Sequence, residues 1–120
     1  MKAVFDSSIL RDYLMGNAQA QKEMARYREA AISVLAIQEL LEAPEAKQNP
    51  EMLTAFLKSF EALPVDAAAT HEAVKLRSMY AVGVPYALVW ASARCANLLL
   101  VAHSGSPFAT INEPGIRIAY

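Results

Sequence analysis

Asp6 and Glu39 are the two residues of this chain whose type and placement could do chemistry together. Asp6 ends the short apolar run Lys2-Ala3-Val4-Phe5, and Glu39 lies about one turn into the helix expected after the run Ala31-Ile32-Ser33-Val34. Carboxylates brought from separate strand ends into one crevice are hard oxygen ligands for Mg²⁺ or Mn²⁺, which take one or two protein carboxylates together with water and substrate phosphate. A cation bound there could polarise a phosphodiester and activate water. The same residues also have plain structural uses, Asp6 as a helix N-cap and Glu39 as a charge on a solvated helix face.

The elements that must position them alternate along the chain. Asp6-Ser7-Ser8 offers three capping side chains before Ile9, Leu10, Tyr13 and Leu14 recur at helical spacing. Gly16-Asn17 ends that helix and starts a second, expected over Ala18 to Glu29. After the strand at 31–34, Leu35, Ile37, Leu40 and Leu41 continue into a helix that Pro44 stops. Asn49 and Pro50 open another, with the stripe Met52, Leu53, Phe56, Leu57 and Phe60. Leu63-Pro64-Val65-Asp66 is the third strand expected, confined by proline to an edge or a strand start. Helices follow over Ala68 to Ala81, closed by Gly83, and from Pro85 to Asn97. Leu98 to Ala102 is a continuous apolar run of the kind buried on both faces of a parallel sheet, and Gly115 to Ala119 alternates like a final edge strand. This order predicts an α/β fold over residues 1–120 as one domain, a three-layer α/β/α sandwich around a mostly parallel sheet. Ligands of such sheets sit beyond the carboxyl ends of the strands, where strand order reverses. Asp6, Glu39 and the segment His103 to Pro107 can all face that crevice.

Composition bounds the rest. With 55% hydrophobic and 19% charged residues the chain is too apolar for disorder, and its 23 alanines favour closely packed helices. A net charge of −1 excludes a chain that binds nucleic acid by its overall field, so phosphate must be met by a local patch or a bound cation. The apolar stretch Val84 to Ala93 is too short to cross a bilayer, and Lys2 is followed by too few apolar residues for a signal peptide. The lone Cys95 removes any internal disulfide or cysteine-based zinc site and reads as a small buried residue, so a cytoplasmic protein without membrane contact is expected.

The segments Val4-Phe5-Asp6-Ser7-Ser8-Ile9-Leu10, Ile32-Ser33-Val34-Leu35-Ala36-Ile37-Gln38-Glu39-Leu40 and Leu63-Pro64-Val65-Asp66 resemble the PIN domain family, in particular the VapC-like toxins of bacterial toxin-antitoxin pairs. The likeness runs in order over nearly the whole chain. It implies a compact α/β/α sandwich and Mg²⁺- or Mn²⁺-dependent cleavage of RNA through a cluster of usually four acids. A cognate antitoxin protein and a homodimer are implied with it. By this resemblance Asp6 matches the first acid and Glu39 the second, and Ser8 and Ser33 stand where the family often carries small hydroxyl or amide residues near the metal. The second half departs from the pattern. In Pro85-Tyr86-Ala87-Leu88-Val89-Trp90-Ala91 a tyrosine stands where the third acid is expected. In Ala102-His103-Ser104-Gly105-Ser106-Pro107-Phe108 a proline replaces the last acid, while Ser104 holds a small polar position of that turn.

Several residues are candidates to compensate. Glu42, three positions after Glu39, is either a third oxygen ligand or a solvent-facing charge, and Asp12 and Glu113 are further carboxylates, Asp12 expected on an exposed helix face. His103 could act as general acid or base, or as a softer ligand. The Tyr86 phenol could bond a phosphate or plug the metal site, and with Trp90 it could stack on unpaired bases, unless Trp90 belongs to the core. Arg11, Lys22, Arg26 and Arg28 form either a basic surface for RNA or an ordinary solvated face diluted by Glu23 and Glu29, and Met24, Met52 and Met79 offer apolar material for a dimer. Two readings follow from different classes: a metal-dependent endoribonuclease, or a degenerate PIN domain that binds RNA or a protein partner. An unrelated small α/β regulatory domain is the third.

Overall fold

The computed structural model describes all residues from 1 to 120. Its frame is a five-stranded sheet made of β1 (Lys2–Phe5), β2 (Glu29–Ser33), β3 (Glu61–Leu63), β4 (Leu99–Ala102) and β5 (Ile116–Ile118). The strands lie in the order β3-β2-β1-β4-β5 and every neighbouring pair is parallel. The order reverses between β1 and β4, so the switch point lies where Asp6 and His103 leave the sheet.

Alternation along the strands builds two cores. Ala3, Phe5, Ile32 and Val101 face one way and pack with Ile9 and Leu10 of α1 (Ser7–Leu14), Ala20 of α2 (Ala18–Met24), Ala36 and Leu40 of α3 (Val34–Glu42), and Leu53 and Leu57 of α4 (Pro50–Leu57). Val4, Ala31, Leu100 and Ala102 face the other way, against α5 (Ala67–Met79) and α6 (Val84–Cys95). There the alanine-rich sequence finds its use: Ala69 and Ala73 of α5 and Ala87 and Ala91 of α6 are all buried, which lets the two helices approach closely. The result is the three-layer α/β/α sandwich, with the sheet parallel throughout. Trp90 is fully buried between Tyr80 and Phe108, as a core residue and not a base-stacking surface. No helix is long and apolar enough to cross a membrane.

Some elements differ from the sequence expectation. The second helix ends at Met24, not Glu29, because the Arg28 N–H already bonds the Met1 carbonyl at 3.1 Å and starts the β1–β2 ladder. β3 lies over Glu61–Leu63 instead of Leu63–Asp66, since Pro64 has no N–H to continue the pairing. Asp66 instead caps α5, accepting the Ala69 N–H at 2.9 Å. Gly83 caps the start of α6 and does not close α5. Cys95, expected inside, is exposed at the end of α6.

Candidate active site

Asp6 leaves β1 with its backbone still in the sheet, its N–H bonding the Val101 carbonyl at 2.9 Å. It occupies the N-cap position of α1, yet its side chain makes no cap bond. The carboxylate instead accepts the Ser8 hydroxyl at 2.6 Å and is only 5% exposed. Glu39 reaches the same place from α3, where its Oε2 accepts the Ser7 hydroxyl at 2.8 Å. Burial pushes the Asp6 carboxyl above the usual carboxylate range, the Ser8 bond opposes this, and the Glu39 charge pushes it further up. Two carboxylates that feel each other at the carboxyl ends of β1 and β2 form an anionic site with mutual repulsion unrelieved by any bonded lysine or arginine.

The remaining candidates spread around this pair. Ser33 is buried and caps α3, its hydroxyl accepting the Leu35 N–H at 3.2 Å. Glu42 is exposed and accepts the Gln38 amide at 3.1 Å. Tyr86, in the first turn of α6, is half-buried and meets Phe108 edge to face at 5.9 Å. Ser104 is exposed and its N–H bonds the Tyr120 carbonyl. Glu113 takes the Tyr80 hydroxyl. Asp12 is half-buried, not exposed, because Tyr120 donates its hydroxyl to Oδ2 at 2.6 Å. Of the proposed basic surface, Arg11 is paired with Glu45 at 2.8 Å and Arg26 with Glu23 at 3.6 Å, which leaves Lys22 and Arg28 without acidic partners. His103 accepts the Gly105 N–H at Nδ1, 2.9 Å away. The hydrogen-bond network therefore assigns the neutral ring's proton to Nε2. A metal-binding imidazole offers a lone pair at one nitrogen and donates from the other, so this arrangement does not suit a ligand, and it does not suit a general base either.

No group of three or more His, Cys, Asp or Glu side chains is arranged to hold a metal ion. Two carboxylates match the donor set of a single hydrated Mg²⁺ or Mn²⁺ that keeps several waters, and they do not match a two-ion clamp. Ser7 and Tyr120 are the neighbours that sequence reading passed over. Ser7 was legible only as one of three capping residues, and nothing in the pattern pointed to Tyr120.

No protein-family model matches the sequence, and no curated protein matches it. Solved structures do. A toxin-antitoxin complex from Klebsiella pneumoniae contains a chain 25% identical, with a TM-score of 0.89 and 98% of each chain covered. VapBC2 from Rickettsia felis, bound to a DNA fragment from its promoter, matches at 21% identity and a TM-score of 0.77, covering 98% of this chain and 97% of that one. VapBC-1 from nontypeable Haemophilus influenzae matches at 16% identity and 0.74, covering 98% of both. The chain folds as a VapC-like PIN domain. The chain carries a tyrosine packed on Phe108 at position 86, and Pro107 opens a 3-10 turn over Pro107–Thr110. The charge gathered at its strand ends is therefore that of Asp6 and Glu39.

Proposed function

We propose that this VapC-like PIN domain is the toxin of a toxin-antitoxin pair and acts as a metal-dependent endoribonuclease through Asp6 and Glu39. The observation that supports the reading is the meeting of a buried and an exposed carboxylate, each held by a serine hydroxyl, at the switch point of the sheet. Asp6 and Glu39 would hold one Mg²⁺ or Mn²⁺, which when bound supplies Lewis-acid polarisation of a phosphodiester. Ser8 and Ser7 orient the two carboxylates, and burial of Asp6 keeps one ligand in a low-dielectric wall. The degenerate, binding-only alternative draws on Tyr86 and Pro107, which occupy the positions where the resemblance implies the other two acids.

The deciding experiment is cleavage of single-stranded and structured RNA with Mg²⁺, with Mn²⁺ and with chelator. Metal-dependent cutting that is lost in Asp6→Asn and Glu39→Gln supports the enzyme. RNA left intact by folded protein, or cut equally well by both variants, defeats it and leaves the binding module. A second expected outcome concerns the missing acids. Tyr86→Asp places a carboxylate in the first turn of α6, where the helix dipole favours it, and should tighten Mn²⁺ binding about tenfold by calorimetry. An unchanged affinity would place residue 86 outside the metal's reach.

The partners in this reading are RNA, an antitoxin and a second copy of the chain. A groove of about 420 Å³ between α1 and α4, lined by Leu14, Met15, Leu40, Ala46, Met52 and Leu53, suits the apolar face of an antitoxin helix. Met15 and Met52 stand 73% and 52% exposed on its rim. Light scattering of the purified chain, alone and with its antitoxin, tests both assemblies.

A further inference from the structure

Building on the reading that this PIN domain works on RNA, we infer that His103 is a phosphate-contacting residue, an imidazole that offers its Nε2–H to an oxygen of the RNA backbone beside the acidic pair. His103 follows β4 directly, as Asp6 follows β1, and the two strands are hydrogen-bonded neighbours. The ring is held from two sides. Its Nδ1 takes the Gly105 N–H at 2.9 Å. Gly105 is what allows this approach: a Cβ there would stand 2.8 Å from the His103 Cε1 and 3.1 Å from Nδ1. The Tyr120 ring lies 5.7 Å away, inclined by 38°, and is itself anchored through its hydroxyl on Asp12 and its carbonyl on the Ser104 N–H.

Against all this fixation, Nε2 has no acceptor. Asp12 Oδ2 is 3.9 Å away, beyond hydrogen-bond reach, and already accepts from Tyr120. The side chain keeps 22% of its surface exposed. A donor whose tautomer and ring plane are set in advance loses little entropy on meeting a ligand. A lysine or arginine at this place would be drawn into an ion pair with Asp12 or Asp6, whereas the Nε2–H has no acceptor within hydrogen-bond reach and is available to a phosphate oxygen.

The same contacts would also serve a purely structural latch between the 103–106 turn and Tyr120, and the test must separate the two. The chain has two histidines, and His71 is exposed on α5, so ¹⁵N-imidazole spectra of the full chain carry an internal control. The free protein should show His103 as the Nε2–H tautomer. Adding a short single-stranded RNA in the presence of Ca²⁺ should shift its Nε2 resonance and leave His71 unmoved. His103→Phe keeps a ring against Tyr120 and should weaken RNA binding about tenfold, raising KM more than it lowers kcat, while His103→Gln, which retains an N–H, should recover most of the loss. A silent His103 resonance, or RNA binding by the phenylalanine variant equal to that of the native chain, overturns the contact. If RNA moves His103 but is never cut, the contact stands and the ribonuclease reading fails. If Asp6-dependent cutting proceeds with His103 silent and the phenylalanine variant unimpaired, the reverse holds.

Discussion

Asp6→Asn is expected to cut metal-dependent RNA cleavage by about 100-fold or more while making the protein harder to unfold. The loss follows from removing one of only two carboxylates at the site, with no third acid grouped beside them to take over. The gain follows from the same burial that suits Asp6 to the site. Its carboxyl has a folded-state pKa above the ordinary value, so at neutral pH keeping it ionised costs the folded state free energy. Asparagine removes that charge, keeps an oxygen to accept the Ser8 hydroxyl, and should stabilise the fold by on the order of 1 kcal/mol. The sign predicts how this advantage varies. It is fully present above the raised folded pKa, shrinks as the pH falls through it, and is gone below the unfolded value near 3.8, where the native aspartate is protonated in both states. Urea unfolding of both proteins across that range measures it. Mg²⁺ should stabilise the native protein and not the variant, since only a folded site binds the ion. Equal stability at neutral pH, or equal stabilisation by Mg²⁺, would contradict the account.

The second large effect is structural and lies far from the acids. Glu23 on α2 is 5% exposed and is gripped by Arg117 of β5 through two bonds, 2.7 Å from Nε and 3.1 Å from an Nη, with the Tyr27 hydroxyl at 3.0 Å. The Arg117 bonds hold the Glu23 carboxyl below its usual range. Arg117→Leu leaves a buried carboxylate with Tyr27 and the distant Arg26, and should cost about 2 to 3 kcal/mol. Glu23→Leu leaves an arginine that is 34% exposed and can turn to water, so it should cost less. The double change to leucine should recover most of the larger loss, because the pair spends much of its attraction on desolvation. Denaturant midpoints of the four proteins check this order, and a fully additive cycle would refute it. The pH dependence runs opposite to that of Asp6. The contribution of Glu23 is present above its unfolded pKa near 4.5 and fades as the pH falls through the lowered folded value.

Much of this arrangement was legible along the chain because it depends on local signals. The apolar runs ending at Phe5 and Ala102, the caps Asn17 and Asn49, and the helix-starting prolines Pro50 and Pro85 all act within a few residues. Those signals give the layers, the helix on which Glu39 rides and the strand end that carries Asp6. What escaped depends on partners far away in sequence. Asp12 looks solvent-exposed until Tyr120, 108 residues later, covers it. Glu23 looks like one charge among several on α2 until Arg117 arrives from 94 residues away. Ser7 reads as a cap and turns out to hold a carboxylate 32 positions on. Local traps also misled: the apolar Leu63 and Val65 suggested a third strand running past Pro64, where pairing stops, and the small, apolar character of Cys95 suggested an interior that α6 had already filled with alanines and Trp90.

The central place of β1 bears on how the polypeptide matures. Lys2–Phe5 leaves the ribosome well before one of its two neighbouring strands, Leu99–Ala102, because β2, β3 and all six α-helices lie between them in the chain. Such distant pairing slows folding and leaves the early strand and its apolar side chains unshielded on the nascent chain. Asp6 and His103 flank that late junction, so the site is completed only with the final closing of the sheet. A translating ribosome would thus hold an inert precursor until Leu99–Ala102 has emerged.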